Sequence, residues 1–96
     1  MDLEDALTQL EQLVAEQPQL THLRVKKHGS SLVLFSGIDA AVQRHVRLTR
    51  IGASEWGLSF PLHTGRWERT PFTGSLRELW ELLMSNFPWY LEAVPN

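Results

Sequence analysis

The spacing of apolar residues changes twice along this 96-residue chain, and those two changes constrain the fold more than any single motif does. Leu3, Ala6, Leu7, Leu10, Leu13 and Val14 recur every three or four positions, which lines them along one side of a helix over about residues 2–16. Asp2 is placed to cap its first turn, and Pro18 limits its length. From Leu20 to about Leu62 the period drops to two, with β-branched and aromatic residues alternating against polar ones. Helical spacing returns at Leu76, Leu79, Trp80, Leu83 and Phe87, introduced by the capping-box pair Ser75 and Glu78 and ended by Pro88.

The central stretch reads as four antiparallel strands over residues 21–27, 30–38, 42–51 and 56–63. They are divided at His28-Gly29, Asp39-Ala40-Ala41 and Gly52-Ala53-Ser54-Glu55. Whether residues 66–70 add a fifth strand is left open by the pattern. Pro61 has no N–H to give, which puts the fourth strand at an edge or a bulge. Each helix has one apolar stripe and the strands share one apolar set. The expected fold is therefore a two-layer α+β domain of order α-β-β-β-β-α. Its N-terminal and C-terminal helices lie on one face of a four-stranded (or five-stranded) antiparallel meander. A chain of this length holds one modest core, so residues 1–96 read as a single domain.

Pairing Val25 with Leu32, Leu34 with Val46, and Leu48 with Phe60 keeps the apolar side chains together beneath the helices. Residues of opposite parity then face away. They form one row of His22, Phe35, His45 and His63, a second of Arg24, Val33, Arg47 and Pro61, and a third of Lys26, Ser31, Thr49 and Ser59. This open face sets one aromatic ring among several cations.

The charge distribution agrees with it. Residues 1–19 carry five acids and no Lys or Arg, for a net -5, while residues 20–70 carry eight cations against three acids, for +5. The remainder is -2, so the overall -2 conceals acidic ends around a basic middle.

Several function classes are set aside by what the chain lacks. It has no cysteine, which excludes disulfides, thiolate metal sites and cysteine nucleophiles. The phosphate-binding loop, the dinucleotide fingerprint, the nucleophile elbow and the zincin helix motif are all missing, and Glu78 is committed to capping, so no catalytic residues are assigned. No cofactor is expected. A metal site is not expected either. His22 and His45 are two strands apart in this register, about 10 Å, and only His45 and His63 are neighbours. The acidic N-terminal residues and the want of an apolar run of membrane length point to a cytoplasmic protein with no membrane association.

What remains is binding. A basic, partly apolar sheet face suits an acidic protein partner or a second copy of the chain in a homodimer. The candidate residues are Arg24, Lys26, Val33, Phe35, His45 and Arg47, together with Trp89 and Tyr90 of the aromatic tail should that tail stay exposed. The tail is otherwise expected to fold back over the first helix or the sheet rim. The alternative is a weak single-strand nucleic-acid binder using the face around Phe35, although one ring is few for base stacking. Trp80 is expected in the core, and Trp56 and Trp67 near strand ends as edge covers. Arg66 and Arg69 are further candidates, as an anion-binding loop near the helix start at Ser75.

Overall fold

The computed structural model describes residues 2–93, leaving Met1 and residues 94–96 outside. Helix α1 spans Leu3–Ala15, and Asp2 Oδ1 accepts the Asp5 amide at 2.8 Å to cap it. Its acidic first turn also meets the positive end of the helix dipole. Five strands follow: β1 (Arg24–His28), β2 (Ser31–Ser36), β3 (Gln43–Arg50), β4 (Trp56–Pro61) and β5 (Trp67–Gly74). They pair antiparallel in chain order, and helix α2 (Leu76–Asn86) completes an α+β fold. Alpha-helical residues Ala6, Leu10, Leu79 and Leu83 bury against Leu32, Leu34, Val46, Leu48 and Leu58 of the sheet. Trp80 is in this core as expected. Trp56 is there too, 3% exposed, and does not cover an edge.

The faces follow the alternation, but the register does not follow the expected pairing throughout. The first hairpin turns at Gly29-Ser30, one residue later than expected, with Gly29 at φ +60° in the first central position. A glycine there is what a type II′ turn favours, and the later turn pairs Val25 with Leu34 where Leu32 was expected. The pairs Leu34–Val46 and Leu32–Leu48 are as expected. Beyond Leu34 a bulge sets Phe35 opposite Arg44, so His45 is the extra residue of β3. Leu48 pairs with Leu58 where Phe60 was expected, because the Ile51 and Gly52 amides both donate to the Glu55 carbonyl and turn the chain earlier, over residues 52–54. Each discrepancy of two keeps the same side chains on the same face.

The fifth strand exists and is longer than residues 66–70, which makes β4 an interior strand. Pro61 is tolerated as its last residue. The chain after α2 folds back over the sheet rim in a 3-10 turn, Pro88–Leu91, where Leu91 is 1% exposed. Tyr90 stacks on Phe60 with ring centroids 3.9 Å apart, and Phe87 meets the same ring edge-on at 5.3 Å.

Candidate functional site

On the side of the sheet away from the helices, three rows of side chains are fixed by the pairing. The first joins Arg24, Phe35 and Arg44, with Pro61 on β4 and Trp67 on β5 continuing it. The second is Lys26, Val33, Arg47, Ser59 and Arg69, and the third is His28, Ser31, Thr49, Gly57 and Thr73. Five cations and two aromatic rings therefore share one surface. None of the five forms an ion pair among the described residues, where the only pair joins Lys27 to Glu4 of α1.

The cations are organised around the rings. Arg24 and Lys26 each lie 5.0 Å from the centroid of Phe35, and Arg44 and Arg47 lie 4.9 and 5.3 Å from that of Trp67. Such contacts hold a guanidinium in place without neutralising it. Two arginines are also tied to backbone, Arg24 Nη2 donating to the Gly37 carbonyl and Arg44 Nη2 to the Gly65 carbonyl, both at 2.7 Å. Val33, between Lys26 and Arg47, is 3% exposed although it faces away from the core, and the long apolar stems flanking it account for that burial.

His45 does not belong to this face. The bulge turns it inward to 3% exposure, where its Nδ1 donates to the Tyr90 carbonyl at 2.8 Å and its Nε2 accepts from the Ser36 hydroxyl at 2.7 Å. His22 Nε2 donates to the next carbonyl, Leu91, at 2.7 Å. Carbonyl oxygens only accept, so these bonds place a proton on His45 Nδ1 and on His22 Nε2. Burial, opposed in part by the Tyr90 bond and reinforced by neighbouring His22, holds the His45 pKa below the ordinary imidazole value. The two ring centroids are 5.8 Å apart, so the histidines expected to be too far apart to share an ion are neighbours, whereas His45 is buried and His63 is exposed in the turn after β4. Together they fasten the C-terminal turn. No group of three His, Asp or Glu side chains converges among the described residues.

The tail candidates divide. Tyr90 is half-buried against Phe60, whereas Trp89 remains 59% exposed beside Pro61 and Arg44. Arg66 and Arg69 do not form a loop at the start of α2. Arg66 closes the β4–β5 turn, its carbonyl accepting the Leu62 amide, and Arg69 is on β5 opposite Ser59. The helix start is already occupied, since Glu78 Oε1 accepts the Ser75 amide at 2.9 Å and Ser75 Oγ accepts the Glu78 amide at 3.1 Å. Those bonds hold the Glu78 carboxyl below its ordinary range.

Arg44, Trp67 and Arg69 are the members of the charged and aromatic set on this face that the sequence pattern did not supply. Arg44 arrives through the bulge. Trp67 and Arg69 alternate within β5 and were legible as a strand face, but their segment reads first as a loop because of Gly65, Pro71 and Gly74. A groove of about 630 Å³ runs beside β1, between it, the C-terminal half of α1 and the turn at Pro18–Leu20. No protein-family model, curated protein or solved structure matches the chain. No helix among the described residues is long and apolar enough to cross a membrane.

Proposed function

We propose that this domain is a non-enzymatic binding module whose open sheet face docks an acidic protein surface. The observation that carries the reading is the set of five cations, Arg24, Lys26, Arg44, Arg47 and Arg69, with no carboxylate within ion-pair distance among the described residues. A planar guanidinium fork matches a carboxylate in two parallel hydrogen bonds, and four of the five are arginines. Ring contacts and backbone bonds already orient several of them, which lowers the entropy lost on binding. The cytoplasmic setting expected from the sequence belongs to the same proposal.

Two other occupants are less well supported. A face-to-face homodimer sets these cations against their own copies with no acid between them. Single-stranded nucleic acid needs ring faces free for bases, yet Phe35 and Trp67 each carry two of the protein's own cations. The rings are also three strand spacings apart, about 14 Å, too far for adjacent bases.

Fluorescence anisotropy with labelled polyglutamate and labelled oligothymidylate at low salt tests the reading. Polyglutamate is expected to bind, and the Arg44→Glu, Arg47→Glu double variant and added salt are expected to release it. Oligothymidylate binding that is the tighter of the two and is lost in Phe35→Ala and Trp67→Ala overturns the proposal in favour of nucleic acid.

A further inference from the structure

The two edges of the sheet are not equivalent. In β5 Pro71 removes an N–H, and the Thr70 hydroxyl turns inward to the Leu58 carbonyl at 2.9 Å, so this edge is interrupted. In β1 nothing interrupts the backbone. The two-residue turn at Gly29-Ser30 closes on His28 and Ser31, and alternation from that pair directs the polar backbone groups of Arg24, Lys26 and His28 toward β2. The Arg50 amide donating to the Ser30 carbonyl sets the same phase in the next pair of strands. The N–H and C=O groups of Val25 and Lys27 therefore point out of the sheet, and neither has another backbone partner among the described residues.

The surroundings of this edge differ on its two sides. Toward the open face lie Arg24 and Lys26. The groove, which Arg24 and Phe35 also line, reaches from there toward the helices, where Val14, Leu20, Leu23 and Val25 supply apolar walls. A strand laid along β1 alternates its side chains between these two environments.

We propose that the partner contributes an extended segment alternating acidic and β-branched apolar residues, which adds to β1 as a sixth strand. Its free backbone groups pair with those of Val25 and Lys27, its carboxylates meet Arg24 and Lys26, and its apolar side chains enter the groove beneath α1. This rests on the acidic-partner reading above and specifies how that partner attaches. A second copy of β1 is a poor occupant, because Arg24, Lys26 and Lys27 would face the same cations.

The test uses two labelled peptides of identical composition, one alternating Glu and Val and one with its Glu and Val residues in separate blocks. The alternating peptide is expected to bind about tenfold or more tightly than the block peptide, and N-methylation is expected to weaken it at every second position only. Amide exchange at Val25 and Lys27 is expected to slow in the complex. The variant Lys27→Pro removes one outward donor, leaves the bonds to β2, and loses only an exposed ion pair, so it is expected to fold and to bind less well. The N-methyl series alters no protein residue and decides the matter even if that variant does not fold. Equal affinity for the two peptides, lost on reversing Arg44 and Arg47 and indifferent to N-methylation, overturns strand addition and leaves the acidic-partner reading standing. Binding of neither peptide overturns both.

Discussion

The two faces of this sheet are drawn from the same strands, yet they are held by different forces. On the covered face, Leu32, Leu34, Val46, Leu48 and Leu58 from β2, β3 and β4 are fully buried against two helices, and removal from water holds them there. On the open face, long cationic side chains lie across Phe35 and Trp67 and cover Val33, and none of them is paired with a carboxylate among the described residues. One face is therefore expected to set the stability of the domain, and the other its electrostatic character. The comparison also explains how a chain of net charge -2 presents a strongly basic surface: most of its acids are on the helices and their flanks.

The largest effect that would break this division is on the covered face. Leu48 is 0% exposed, so Leu48→Ala is expected to cost about 2–5 kcal/mol in urea unfolding. A loss below 1 kcal/mol would mean that the covered face is not the stability-determining one.

At the rim between the faces, His45→Ala leaves the Tyr90 carbonyl and the Ser36 hydroxyl without their partner, for an expected loss of about 1–3 kcal/mol. The pH dependence should identify the same residue. The native pKa of His45 is depressed, so as pH falls below the ordinary value of about 6.5 the unfolded chain takes up a proton that the native chain resists. Stability is then present above that value and declines toward the native pKa. The decline should be shallower in His45→Ala, measured by unfolding at stepped pH.

The smallest effect is expected on the open face. Lys26 is exposed and its ring contact is worth about 0.5–1 kcal/mol, so Lys26→Ala should change unfolding by no more than that while weakening polyglutamate binding. Stability falling as far as in Leu48→Ala would erase the distinction between the faces.

Much of this was legible beforehand. The three- and four-residue spacings located both helices, Ser75 and Glu78 announced their reciprocal cap, and the period of two assigned Leu32, Leu34, Val46 and Leu48 to a common face. Arg24, Lys26, Val33, Phe35 and Arg47 are on the open side as the alternation required. Alternation failed at His45, since a bulge adds one residue and reverses a side chain that regular alternation would have turned outward. Trp67 was missed for a different reason, since glycine and proline made a regularly alternating strand resemble a loop.

The sequence by itself determined both helices, the first four strands, their order and, bulge aside, the face each of their side chains takes, because those depend on local periodicity and on capping and turn residues. Only the tertiary structure decided which residues stand side by side. A register slip of two preserves every face and so leaves no trace in the pattern. The turn at Gly29-Ser30, the bulge at His45 and the packing of the C-terminal turn on Phe60 made that choice. They brought Arg44 and Arg47 to Trp67 and drew His22 and His45 together beneath the tail.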